Sequence, residues 1–196
     1  MIGRLLAALL AACLLCACDA GPRQPGFNGT DITGADYAKD FSLTDTQGRR
    51  RNLADFAGRA VAVFFGYTQC PDVCPTTLSQ MAAVMELLGD DADRLQVVFI
   101  TVDPERDTPA LLADYVPMFD ARFIALYGSV AETRQVTRDF RVFYRKSGDV
   151  SANRYTVDHS AGLYLFDPSG RLRLFFRHGE APERIAADVR RLLAGD

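Results

Sequence analysis

The most chemically distinctive residues of this chain are two cysteines, Cys70 and Cys74, separated by three residues in GYTQCPDVCP. Thiols four positions apart lie about one helical turn from each other, close enough to close a small disulfide or to grip one soft metal ion. Thiolates select Cu(I) and Zn over harder ions, and a metal grip calls for a third ligand. The chain has two histidines: His159, in YTVDHS, and His178, in FRHGEAP. The pattern places His159 on a loop just before a hairpin strand, from where it can converge on the cysteines. His178 lies beyond the far end of that hairpin and is less well placed; from spacing alone, a structural or surface role stands beside a ligand role for either residue.

Pro71 and Pro75 each follow a cysteine. A residue before proline is disfavoured in the α region, which predicts both cysteines outside regular helix, with Pro75 at the first helical position and Cys74 at the cap before it. There the positive field of a helix N-terminus favours thiolate over thiol. A peroxidase of peroxiredoxin type fits poorly, because Thr68 stands only two positions before Cys70.

The elements that must hold these groups alternate. A continuous β-branched and aromatic run, RAVAVFFGY, predicts a central strand over residues 59–67, covered on both faces and ending at Gly66. Leu78, Met81, Ala82, Met85 and Leu88 then recur at helical spacing, with the methionines read as core fillers. LQVVFITV is a second buried strand, followed by DPERDTP, where Asp107 and Thr108 read as helix caps and Pro109 as the first helical residue of a helix to about Asp120. ARFIALYG gives a third strand and residues 129–144 a helix. Residues 146–158 read as a loop, GLYLFDPSGRLRLFF as a hairpin turned by Asp167–Gly170, and residues 182–193 as a closing helix. This order predicts an α/β fold with a central mixed sheet flanked by helices. A thiol pair where the first central strand meets its helix is the thioredoxin-like arrangement.

The first residues, MIGRLLAALLAACLLCACDA, have one arginine and then an apolar run shorter than the roughly 18 to 20 residues of a membrane span, the pattern of an export signal. Leu15–Cys18 resembles a bacterial lipobox, which predicts a signal peptide over 1–17 and lipidation at Cys18, with Cys13 the alternative site; Asp19 after that cysteine resembles an inner-membrane retention signal, which predicts a lipid-anchored protein at the periplasmic face of the inner membrane. Residues 18–36 read as a tether and 37–196 as one folded domain. Removing the leader and lipidating Cys18 leaves only Cys70 and Cys74 of the five cysteines as thiols, which points to chemistry and not to a disulfide framework. A net charge of −3, with Arg49–Arg51 as the one dense basic cluster, excludes nucleic acid as a partner worth pursuing.

GYTQCPDVCP, VDPERDTP (Val102–Pro109) and VDHS (Val157–Ser160) followed by YLFD together resemble the Sco/SenC family, copper-binding thioredoxin-like proteins of cytochrome c oxidase assembly. The resemblance covers residues 37–193. It implies one copper, Cu(I) or Cu(II), held by Cys70, Cys74 and His159, with Asp103 close behind the site. It implies a copper metallochaperone that delivers to the copper-site subunit of the oxidase, with an upstream copper chaperone or a thioredoxin-like reductant as further partners. The same dithiol also suits a thiol-disulfide reductase that uses Cys70 and Cys74 as a redox-active pair to keep the acceptor's cysteines reduced. No further methionine or histidine cluster supports a second copper.

Overall fold

The computed structural model describes residues 26–196; Cys13, Cys16 and Cys18, with the export and lipidation signals, lie outside them. Among the described residues no helix is long and apolar enough to cross a membrane.

Two predominantly apolar runs build the centre, the second carrying one buried amide, Gln96, whose side chain bonds the Val97 and Arg122 carbonyls and Arg59. β4 (Ala60–Gly66) and β5 (Leu95–Thr101) are buried at every position and pair in parallel, because a strand covered on both sides needs apolar side chains on both. β6 (Ile124–Tyr127) adds in parallel to β5. β9 (Leu163–Phe166) and β10 (Leu172–Phe176) form the expected C-terminal hairpin and pair antiparallel on the other side of β4. β1 (Thr30–Asp31) closes that edge; β2 (Leu43–Asp45) and β3 (Arg50–Arg51) close the other. The order β1-β10-β9-β4-β5-β6-β2-β3 is a mixed sheet of thioredoxin-like type.

Four helices flank it. α1 (Val73–Leu88) follows β4 directly and packs against α4 (Pro182–Ala194). α2 (Pro109–Tyr115) begins as expected, with the Thr108 hydroxyl accepting from the Leu111 N–H and Pro109 opening the helix, but ends sooner, in a short turn over Val116–Met118. α3 (Val130–Asp139) starts at a Ser129/Glu132 capping box and is also shorter than expected, because the chain turns at Phe140, whose buried ring packs edge-to-face with Phe65 and Tyr164. Arg51 and Arg49 bond Asp45, so this basic cluster serves the β2–β3 turn.

Two features differ from the sequence expectation. Residues 146–158 are not a loop: β7 (Tyr144–Asp149) and β8 (Arg154–His159) form an antiparallel two-stranded ribbon with no hydrogen-bonded neighbour in the main sheet. Ordered structure also begins before Tyr37. Thr30 pairs with Phe175, while Asn28 and Gly29 donate to the buried carboxylate of Asp188 on α4. Since β10 ends opposite the start of β9, and β9 starts opposite Phe64 near the end of β4, the chain joins the sheet at the end where β4 stops. That is the end carrying the cysteines.

Candidate metal centre

The cysteine loop leaves β4 at Gly66, which has no side chain for a steric reason. A Cβ there would lie 2.8 Å from Cys74 Sγ and 2.8 Å from the Phe99 ring. Cys74 is fully buried against this glycine, and Cys70 is half-buried above it, its Sγ accepting the Cys74 N–H at 3.4 Å. Both are free thiols.

Cys74 is not the helix cap that Pro75 predicted. α1 starts at Val73 with Asp72 at the cap, so Cys74 is its second residue and Pro75 its third. A proline in the first turn removes an N–H that has no intrahelical partner there, and seating Cys74 beside Gly66 outweighs the local preference of a pre-proline residue. The electrostatic expectation also reverses. Burial pushes the Cys74 thiol well up, and the adjacent Cys70 and Asp107 add to it, so desolvation overrides the helix field and the metal-free residue is a thiol at neutral pH.

His159 reaches this pair from the ribbon. Along β8 the burial alternates, so Tyr155, Val157 and His159 share the face turned towards the core. The imidazole Nδ1 lies 3.0 Å from the Ser160 carbonyl, a contact that requires Nδ1–H as donor, and this tautomer leaves the Nε2 lone pair directed at Cys74 Sγ, 3.4 Å away. Burial holds the ring's pKa below the ordinary histidine value, which keeps it neutral and able to ligate. The edge of the His159 ring meets Tyr67 and Phe64, with centroids 5.9 and 6.4 Å apart.

The ligand atoms of Cys70, Cys74 and His159 all lie within 4.8 Å of one another. With metal–sulfur bonds of about 2.3 Å, three ligands spread evenly around one ion stand about 4 Å apart, so closure by less than about 1 Å suffices. Two thiolates and an imidazole, with no carboxylate among them, suit one soft ion and fit copper. His178 is elsewhere, its Nδ1 3.2 Å from the Thr77 hydroxyl on α1 and its ring exposed.

The middle motif supplies two buried aspartates with different tasks. Asp107 does not cap α2: its carboxylate accepts from the Thr68 N–H and hydroxyl and from the Thr101 hydroxyl, the last two at 2.6 Å, clasping the cysteine loop to the end of β5. Burial raises its pKa against these bonds. Asp103, fully buried, is not in the three-ligand cluster; it accepts from Arg106 Nε at 2.5 Å and from the Tyr155 hydroxyl at 2.9 Å. Sequence reasoning passed over Tyr67, Arg106 and Tyr155. The alternation in RYTVDH was a visible strand signal for Tyr155; nothing local marked Arg106.

Fold and site together define a thioredoxin-like protein with a thiolate-imidazole centre for one soft metal where its first central strand meets its helix. The profile of the SCO1/SenC family matches residues 29–194, and the chain belongs to that family. It is 41% identical over 157 residues to the mitochondrial SCO2 homolog of Bos taurus, a match spanning 79% of this chain and 59% of the bovine protein. It is also similar to the structure of Bradyrhizobium japonicum ScoI with copper bound, at 41% identity and a TM-score of 0.71, covering 78% of this chain and 97% of that one. BsSco, described with a disulfide switch as a member of the Sco family of cytochrome c oxidase assembly proteins, shares the fold at 20% identity and a TM-score of 0.67, covering 88% of this chain and the whole of the other.

Proposed function

We propose that the reduced protein takes up one copper ion through Cys70, Cys74 and His159 and hands it to the copper-site subunit of cytochrome c oxidase. The observation that carries this reading is the convergence of three soft or borderline ligand atoms within 4.8 Å from two segments 85 residues apart, at the mouth of a fold whose relative holds copper. Two sulfur ligands favour Cu(I), and the imidazole lets the same site accept Cu(II). Copper replaces the thiol proton of Cys74, so below that thiol's pKa each unit of rising pH tightens binding about tenfold for this one proton. We further propose that Cys18 carries a lipid anchor on the periplasmic face of the inner membrane. The chain joins the sheet at the end bearing the site, so such an anchor tethers the site towards the bilayer.

A delivery experiment tests the reading. Copper-loaded protein is mixed with the reduced, metal-free soluble domain of an oxidase copper-site subunit, and copper is followed by the acceptor's absorption. Copper should move to the acceptor; retention by the donor contradicts delivery.

One observation favours a second reading. Cys70 is half-exposed while Cys74 is buried beneath it, the arrangement of an attacking and a resolving thiol. Cys70 thiolate would attack a disulfide of the acceptor, releasing one thiolate and forming a mixed disulfide. Cys74, giving up its proton to the departing sulfur, would then attack the Cys70 sulfur, releasing the acceptor's second thiol and leaving Cys70–Cys74 oxidised. Reduction of the acceptor's disulfide by the metal-free protein, undiminished in His159→Ala, is its signature.

A further inference from the structure

The ligand set is split between two bodies: the cysteines are fixed by β4 and α1, whereas His159 ends a ribbon that no backbone ladder ties to the sheet. A two-stranded ribbon has little stability of its own and must be held by side chains. Arg106 stands where the two bodies meet.

Its side chain is 5% exposed and bonds in three directions. Nε pairs with the Asp103 carboxylate at 2.5 Å, and Nη1 donates to the Tyr155 backbone carbonyl at 2.9 Å and to Gln69 Oε1 at 3.2 Å. Tyr155 is four residues before His159 on β8, and Gln69 immediately precedes Cys70. The guanidinium also lies 3.5 Å from the Tyr155 ring centroid and 5.8 Å from that of Tyr67, the ring whose other neighbour is His159. Asp103 repeats the link, accepting from the Tyr155 hydroxyl at 2.9 Å. Nη2 is buried with no hydrogen-bond partner, and a buried ion pair of this kind is a weak device for stability, so its value here is positional. Lys146, half-buried opposite Val157, pairs with Glu105 and lies 4.8 Å from the Tyr155 ring centroid, a second and more exposed tie on the ribbon.

We propose that Arg106 is the positioning residue of the metal centre: its forked, planar guanidinium locks the His159 ribbon to the cysteine loop, setting the imidazole's distance from the two sulfurs. The proposal rests on the copper reading for its metal-binding consequences, but the lock itself is a property of the metal-free protein. Two thiolates of the cysteine loop do not depend on the ribbon, whereas the third ligand does. Losing Arg106 therefore affects Cu(II), which needs the imidazole, far more than Cu(I).

The test compares the full chain with Arg106→Ala, Arg106→Lys and Arg106→Ala/His159→Ala. Cu(II) affinity of Arg106→Ala should fall about 10–100-fold, the range typical of groups that orient ligands, with Cu(I) affinity changed less than about threefold. Arg106→Lys keeps the charge beside Asp103 but not the fork, and should lose nearly as much Cu(II) affinity. In the His159→Ala background, Arg106→Ala should add no further loss. In the metal-free protein, amides of β8 should exchange faster in Arg106→Ala while those of β4 and β5 keep their protection. Equal losses for Cu(I) and Cu(II), full rescue by lysine, an undiminished effect without His159, or unchanged β8 exchange would each overturn the proposal. If the wild-type chain bound no copper the functional reading would fail instead, and the exchange measurement would still decide the lock.

Discussion

Cys74→Ser should abolish tight Cu(I) binding while leaving the fold in place. The substitution is nearly isosteric, so the seat beside Gly66 survives, but the oxygen is a hard, protonated donor where a soft anionic one is required. Because Cys74 is a ligand in this account and not a supporting group, the loss should exceed the roughly 10–100-fold typical of orienting residues. Cys70 alone cannot compensate, since one thiolate and one imidazole make a site that competing thiols outbid. The check is competition for Cu(I) against a chromophoric chelator, with the circular dichroism of the variant confirming an intact fold. Cys70→Ser should behave alike if both sulfurs ligate. Retained tight binding in Cys74→Ser would remove the buried thiol from the site and leave its position beneath Cys70 as a resolving residue.

The second large effect is oxidation-state selective. His159→Ala should lower Cu(II) affinity by more than about 100-fold and remove its thiolate charge-transfer band, while Cu(I) affinity falls by about tenfold at most. The geometry supplies the reason: the Ser160 carbonyl fixes the tautomer, and Nε2, aimed at Cys74 Sγ, is the only nitrogen ligand near the pair among the described residues. His178 cannot substitute, being occupied with Thr77 on α1. Absorption and electron paramagnetic resonance spectra of the Cu(II) form check this. A spectrum unchanged from wild type would exclude His159 as a ligand.

These residues were unevenly legible in the sequence, and the reasons are physical. The central strands announced themselves because burial on both faces demands apolar side chains on both, giving the unbroken runs Ala60–Phe65 and Val97–Ile100. Cys70 and Cys74 were visible because few residue pairs at that spacing do chemistry at all. The state of Cys74 was misjudged because helix position and proline preference are local terms, whereas its protonation follows from burial beside Gly66 and from the nearby Cys70 and Asp107, which only the folded sheet brings together. Asp107 read as a cap because it precedes Thr108 and Pro109; its real partners, Thr68 and Thr101, come from two other segments. The β7–β8 ribbon hid for a different reason. RYTVDH alternates as a strand should, but its partner YRKSGD has no fully buried position and no apolar pattern of its own. Arg106 was the least legible residue, since its role exists only where Gln69, Asp103 and Tyr155 meet.

The convergence of Cys70, Cys74 and His159 is the centre of the account, and a Cu(I) titration of the mature protein in its two redox states tests it most directly. The reduced form should bind one equivalent against a competing chelator, and the form with Cys70 and Cys74 joined in a disulfide should bind none, because oxidation removes both sulfur ligands at once. Failure of the reduced form to bind, or equal binding by the disulfide form, would contradict a copper centre built from this cysteine pair.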